Sequence, residues 1–298
     1  MPARIDLHTH SQYSDGLLSP AALVELAARR EVRLLALTDH DTIAGCAAAA
    51  SACEQHGICF VPGIELSCDW QQREIHVVGL GLDVENAALQ AHCAAVRERR
   101  RERMLAMARK LTRAGLPGET LAQAALTAAS PTRTHLARAM CRHGIARDMQ
   151  QAFDRWLKRG RPAHVAAHWP ALEAAVRCII GAGGTAVLAH PHRYPLSHGQ
   201  LRQLTADFAA AGGGGIEVSL AGMAPKDADR AVALARRHGL AGSIGSDFHE
   251  PDLPWRPLGR FDKLPDSVTP IAARFEPEAI EQARSTSRDQ TADERSGR

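Results

Sequence analysis

The sequence predicts an α/β fold: a small barrel of strands alternating with helices, interrupted once by a helical insertion. Seven short runs rich in branched apolar residues recur along the chain, most of them followed by a helical stretch. Such alternation argues for a parallel sheet, and this many strands favour a closed barrel over an open sheet. The alternation fails only between about residues 86 and 168, where no convincing strand occurs.

The strands are expected at Arg4–His8, Arg33–Thr38, Cys59–Ile64, Ile75–Leu80, Thr185–Ala189, Gly215–Leu220 and Leu240–Ile244. Ser19-Pro20 opens the first helix with an N-cap and a proline at the first helical position, and its apolar stripe is Leu23, Leu26 and Ala27. Further helices are expected near 42–56, 166–182, 198–211 and 225–238. Gly183-Gly184 and Gly239 stand where helix ends favour left-handed residues. The insertion reads as a long helix over about 86–114, ended by Gly115, then helices near 134–143 and 148–159. Residues 1–96 and 166–278 are thus expected to form the barrel and 97–165 a cap. The polar tail 279–298 is expected to be disordered.

Of the 298 residues, 45% are apolar, enough for a sizeable core. Only 4% are aromatic, which excludes stacking as a widespread binding device. No apolar run approaches the ~18 residues of a membrane span. Met1-Pro-Ala-Arg enters the first strand directly, leaving no room for a signal peptide. Seven cysteines without a CxxC pair suit a reduced, cytoplasmic protein. No obligate protein partner is inferred. The net charge of +3 hides an asymmetry. Residues 97–161 carry 16 basic and five acidic side chains, and the remainder 20 basic and 28 acidic.

The fifteen histidines are informative because of where many of them fall. The first strand ends in His8-Thr9-His10, with Asp15 just beyond, and the second in Asp39-His40-Asp41. The third delivers Glu65, and His76 comes early in the fourth, after a tight turn. The fifth ends in His190-Pro191-His192 and the seventh in Asp247-Phe248-His249. Barrel active sites lie at the carboxyl ends of the strands. Residues i and i+2 of an extended segment share a face, so His8 with His10, and Asp247 with His249, can grip one ion together. Any one pair fits satisfied or solvent-facing side chains; their conjunction at one rim does not. Imidazole with carboxylate and no thiolate suits Zn, Mn or Fe. There are more ligands than one ion needs, and Glu65 can bridge through both oxygens, which implies two or three ions.

HTH with SDG behind it, TDHDT, PGIELS, EIHVVGL, AHPHRY and GSDFHEP, in this order and spacing, resemble the PHP (polymerase and histidinol phosphatase) family over about residues 3–262. Within it the chain is most similar to the 3′,5′-nucleotide bisphosphate phosphatase branch, which includes RNase AM. That branch has an Arg-rich helix, here Arg99–Arg103, a TRxHxAR-like stretch, here Thr132 to Arg138, and an HPxRY motif, here His190–Tyr194. The resemblance implies a distorted (β/α)₇ barrel holding three metals, Mn²⁺ first among them, with Zn or Fe as alternatives. It implies His8, His10, Glu65 and Asp247 for the first ion, Glu65, His76 and His190 for the second, and Asp15, His40 and His249 for the third. Asp15 stands where some relatives carry His, and His192 where this branch carries a small residue; His192 is read as no ligand.

The implied reaction is phosphoester hydrolysis. Two cations lower the pKa of a shared water, giving a hydroxide nucleophile, and offset charge on the phosphoryl oxygens. The chemistry is expected to centre on Asp247, His190 and Glu65; Asp247, His192 and a bound water are the candidate proton carriers. The basic insertion fits either a solvated helix surface or a phosphate-binding cap. In the second reading Arg99, Arg103, Arg133, Thr134 and His135, with Asp15, His40 and Arg193 across the mouth, bind substrate. The expected activity is removal of the 3′-phosphate from a nucleoside 3′,5′-bisphosphate such as pAp. The alternatives are a 5′→3′ exoribonuclease acting on short RNA and a non-catalytic, metal-stabilised nucleic-acid-binding module.

Overall fold

The computed structural model describes residues 4–252 and 256–275; the tail expected to be disordered lies outside them. One seven-stranded sheet has its strands in sequence order. They are β1 (Arg4–Asp6), β2 (Val32–Leu37), β3 (Cys59–Trp70), β4 (Arg73–Leu80), β5 (Thr185–Leu188), β6 (Gly215–Leu220) and β7 (Ala241–Gly245). Helices α1 (Pro20–Arg29) and α2 (Cys46–His56) flank β2. Helices α7 (Leu172–Gly181), α8 (His198–Ala210) and α9 (Pro225–His238) follow the insertion. The expected Ser19 cap is present, its side chain accepting from the Ala22 N–H.

Alternation along the strands sorts side chains into layers. Leu34 and Ala36 of β2 join Leu7, Val61, Val78, Val187 and Ala241 in one cluster on one face of the sheet. Leu35 and Leu37 point the other way, against Leu23, Val24 and Ala27 of α1. At the sheet ends the Leu7 N–H donates to Ile244 O at 3.2 Å, and Thr9 pairs with Phe248 in parallel. Buried Asp6 ties the same two segments together. Its carboxylate accepts from the N–H groups of Ser246 at 2.9 Å and Gly259 at 2.8 Å. Burial nevertheless pushes its pKa up to about 6.

The expectation of a parallel sheet needs one correction. β4 runs antiparallel to both β3 and β5, while the other neighbouring pairs are parallel. No crossover helix separates β3 from β4. They form a hairpin turning at Gln71 and Gln72, with φ of 49° and 59°. The inversion brings the start of β4, and with it His76, to the edge where the other strands end. Glu65 consequently lies inside a long β3 rather than at its end.

Between β4 and β5 the chain is helical: α3 (Ala87–Arg113), α4 (Gly118–Ala125), α5 (Arg133–Arg142) and α6 (Met149–Ala152), which runs on into a π-turn (Phe153–Leu157). The N-terminal part of α3 packs Leu89 against the core around β3 and β4, whereas Met104, Met107 and Leu111 join a separate cluster with α4 and α5. The junction is polar. Arg100, 6% exposed, donates to Asp41 Oδ2 from Nε at 2.8 Å and from Nη2 at 2.5 Å. It also reaches Ser67 Oγ at 2.8 Å and Pro131 O at 3.3 Å, and lies over the Trp169 ring at 4.8 Å. Removing one member of a buried ion pair leaves the other uncompensated, at about 3–5 kcal/mol. Arg100→Ala should therefore lower the unfolding free energy by about that amount. Denaturant titration checks this; a loss within ~0.5 kcal/mol, as at an ordinary surface site, would show that Arg100 does not tie the insertion to the sheet.

Candidate metal centre and active site

The rim site begins with backbone constraints. Thr9, between the two histidines of the first motif, is fixed to β2: Oγ1 donates to Ala36 O at 2.6 Å, and its N–H donates to Thr38 Oγ1 at 3.1 Å. Asp39 accepts from Ser11 N–H, Ser11 Oγ and Ser14 Oγ at 2.6–2.8 Å, which holds the loop carrying His10 and Asp15. Gly245 is required at the end of β7 because a Cβ there would lie 2.6 Å from His8 Cβ. Tyr194 Oη accepts from the His76 N–H and donates to Ala189 O, both at 2.9 Å, pinning the start of β4 to the end of β5.

These constraints bring all nine sequence-predicted ligands together. Three groups have candidate ligand atoms within 4.8 Å of one another: His8, His10, Glu65 and Asp247; His10, Asp15, His40 and His249; and His40, Glu65 and His76. His190 joins the last of these through Nε2, 2.8 Å from Glu65 Oε1. His8 Nε2 faces His10 Nε2 at 3.1 Å. Glu65 Oε2 and Asp15 Oδ1 are buried without a hydrogen-bond partner, though imidazole nitrogens surround both. Converging nitrogens and orphaned carboxylate oxygens are a donor set that fits divalent cations, and the absence of thiolate favours Mn, Zn or Fe over softer ions.

The residues behind the rim set its electrostatics. Glu217 Oε1 lies 2.7 Å from His8 Nδ1 and its other oxygen accepts the His190 N–H at 2.5 Å, so Nε2 of His8 faces the cluster. Burial pulls the His8 pKa down, but Glu217, Glu65 and Asp247 outweigh it and hold it well above the usual range. Burial likewise opposes protonation of His10 and His76, yet Asp247 and Glu65 raise His10 to about 9, and Glu65 with Glu74 raises His76 to about 10. His190 goes the other way, down to about 4, through burial with Arg193 and His76 nearby. Asp247 has one oxygen within 3.5 Å of His8, His10 and His249, and its other oxygen takes Arg193 and Arg256.

A cleft of about 260 Å³ opens over the cluster, lined on the insertion side by Arg103, Thr132, Arg133 and Thr134 and opposite by Arg193 and Arg256. Thr132 Oγ1 donates to Asp15 Oδ2 at 3.1 Å, so the insertion touches the candidate ligand set directly. Two predicted contacts fall elsewhere. Arg99 does not line the cleft; its Nη1 donates to His168 O at 3.0 Å. His135 is also outside the lining, because Nδ1 accepts the Thr132 N–H at 3.0 Å and caps α5. Sequence reasoning missed Glu217, Arg256 and Arg100. Glu217 did leave a signal, a carboxylate in the middle of an apolar strand.

Two outcomes are expected. Glu217→Gln keeps the side-chain volume but weakens the hold on His8, and should cost about 10–100-fold in metal affinity. Competition titration against a chelator measures this, and an unchanged affinity would deny Glu217 that role. Cations must displace protons from His10 and His76, whose pKa values lie near 9 and 10. Affinity should therefore rise with pH up to about 10 and fall on acidification. A pH-independent affinity would contradict the proton competition.

Comparison with known proteins gives a consistent result. The PHP domain model matches residues 6–219. The chain is 42% identical over 277 residues to a 3′,5′-nucleoside bisphosphate phosphatase of Chromobacterium violaceum, covering 92% of this chain and 97% of the relative. It is 39% identical over 275 residues to a 5′-3′ exoribonuclease of Haemophilus influenzae, covering 92% and 100%. Among solved structures, an amidohydrolase from Chromobacterium violaceum with bound sulfate and no metal superposes with a TM-score of 0.86 at 41% identity, covering 92% and 96%. A structure from Bifidobacterium adolescentis gives 0.76 at 27% identity, covering 93% and 96%. With its rim of imidazoles and carboxylates and this extent of likeness, the chain belongs to the PHP domain family.

Proposed function

We propose that this protein is a metal-dependent phosphatase that removes the 3′-phosphate from nucleoside 3′,5′-bisphosphates. The observation that carries the reading is a single cleft with the His/Asp/Glu cluster at its base and the insertion's Arg103 and Arg133 on its wall. Two anion-binding ends in one cleft suit a substrate with two phosphates. The Chromobacterium violaceum phosphatase, similar over nearly all of both chains, supports the same substrate class. We read the seven strands as a distorted (β/α)₇ barrel, for which the Leu7–Ile244 hydrogen bond and the Thr9–Phe248 pairing speak, with residues 97–165 as its cap.

His8, His10, Glu65 and Asp247 would hold one ion, Glu65, His76 and His190 a second, and Asp15, His40 and His249 a third, Mn²⁺ being our first assignment. When bound, such ions supply an activated water and offset charge on the scissile phosphate. The chain's own residues do the rest. Arg193 and Arg256 stand on Asp247 at the cleft wall, where guanidinium forks can turn to phosphoryl oxygens. Arg103 is held by its Nε bond to Val165 O at 3.1 Å, and Arg133 is 3.8 Å from Glu74, which leaves donors for a 5′-phosphate. Asp247 stands at the reacting end, and Asp247, His192 and a bound water are the candidates to carry the proton.

A 5′→3′ exoribonuclease on short RNA is the second reading, favoured by the Haemophilus influenzae relative and by one of Escherichia coli at 41% identity over 266 residues. The same cap would then read the 5′-phosphate of a strand. A non-catalytic module is disfavoured, because a structural metal needs about four enclosing ligands and this rim offers far more.

The test is orthophosphate release with Mn²⁺ from pAp, 3′-AMP and a short 5′-phosphorylated RNA. A bidentate charge-assisted contact is worth ~1.5–3 kcal/mol, so pAp should exceed 3′-AMP in kcat/KM by roughly 10- to 150-fold. Arg133→Ala should erase most of that preference while metal content and 3′-AMP hydrolysis stay unchanged. Equal rates on pAp and 3′-AMP would refute a cap that reads the 5′-phosphate.

A further inference from the structure

The cap arginines also line a second, larger hollow of about 780 Å³. Cleft and hollow share Glu74, Arg103 and Arg133, and apart from these the hollow has none of the cleft's lining. It therefore meets the active site only where the 5′-phosphate is proposed to sit. Its own walls add Arg73, from the start of β4, and Arg159, just past the π-turn. Neither guanidinium has a hydrogen bond or ion pair to another described residue.

The acids that face this hollow are already engaged. Glu74 lies 3.8 Å from Arg133 and 3.6 Å from His76. Asp69 Oδ1 accepts the Gln72 N–H at 3.0 Å. Crowded cations remain. Burial, with Arg133 and Arg100 adjacent, pushes Arg103 down to about 10. His164, also on the wall, is pulled below its usual range by burial and then by Arg103, Arg133, Lys110 and Arg159. Like charges gathered around a recess repel one another unless an anion enters. A single 5′-phosphate held by Arg103 and Arg133 reaches neither all of that charge nor all of that volume.

We propose that the hollow is a second anion subsite, which admits nucleoside 3′-phosphates bearing a 5′-diphosphate and holds the outer phosphate with Arg73 and Arg159. The inference rests on the reading that the cap binds the 5′-phosphate. The reaction is unchanged: water adds to the 3′-phosphorus, the P–O3′ bond breaks, and the departing 3′-oxygen takes a proton from that water to become the hydroxyl. Orthophosphate leaves and the 5′-anhydride survives, giving a nucleoside 5′-diphosphate. A neutral base in the hollow would leave the free guanidiniums without a counter-charge. An RNA strand continuing past the scissile phosphate would run on from the metal end, which the hollow does not meet.

The test uses metal-loaded enzyme with 3′-AMP, pAp and adenosine 3′-phosphate 5′-diphosphate, for the wild type and the Arg73→Ala, Arg159→Ala double variant. The wild type should hydrolyse the 5′-diphosphate at least as efficiently as pAp. The double variant should lose about tenfold or more in kcat/KM on the 5′-diphosphate and keep its rates on pAp and 3′-AMP, which also verifies its fold. Poor turnover of the 5′-diphosphate by the wild type, or equal losses on it and pAp, overturns the subsite; a preference for pAp over 3′-AMP then leaves the proposed function standing. No such preference removes that reading and the subsite together.

Discussion

Glu65 is a fully buried carboxylate with the imidazoles of His8, His10, His40, His76 and His190 all within 3.3 Å of its oxygens. A buried charge costs several kcal/mol unless countercharge and hydrogen bonds surround it. Those five imidazoles come from four different strand ends, so the carboxylate can be buried only if the sheet brings the ends to one place. This is why the rim is tightly specified. Asp39 fixes the loop that carries His10, Tyr194 pins β4 to β5, and Glu217 braces both His8 and the His190 backbone.

Strain gathers where that countercharge is assembled. Asp41, His190 and Asp247 have positive φ, at 50°, 27° and 51°. Such backbones cost about 1–3 kcal/mol each and persist only where neighbours over-determine them. The locks are visible. Asp41 donates its N–H to Glu65 O while its carboxylate takes Ser67 and Arg100. Asp247 donates its N–H to His8 O and receives two guanidiniums, and His190 is held by Glu217. In each case the bond that fixes the backbone also touches a member of the candidate ligand set. Loosening the cluster would therefore relax the strained rim, and relaxing the rim would scatter the cluster.

The strands and the clustered ligands were legible because both follow from short periodic patterns, and a strand end carries its ligand wherever the sheet takes it. The direction of β4 was not legible. Its reversal turns on Gln71-Gln72, two residues in left-handed conformations that usually belong to Gly, Asn or Asp, so the tight turn expected before His76 carried no mark of a two-residue hairpin. The insertion misled in a similar way. Arg99 was expected beside Arg103 at the substrate, yet Arg100 and Arg103 are the pair that share the Trp169 ring. Residues at i and i+3 are neighbours just as those at i and i+4 are, and only the buried Asp41 decides between the two faces. α4 follows Pro117 without a capping side chain and gave no start signal. Arg256 reaches Asp247 from a loop whose path no periodicity fixes.

The uneven charge of the chain makes sense once the two parts face each other. The acidic excess outside the insertion and the basic excess within it meet at one cleft, and two specific ties join them: Arg100 to Asp41, and Thr132 to Asp15. The first neutralises a carboxylate behind the rim. The second fixes one oxygen of a candidate ligand and leaves the other, without a hydrogen-bond partner, turned toward His40 and His249. A helical segment that merely sheltered the rim would need neither. The insertion carries part of the electrostatic balance of the cluster, so the same arginine-rich helix that lines the cleft at Arg103 also stabilises, through Arg100, the scaffold on which the cluster stands.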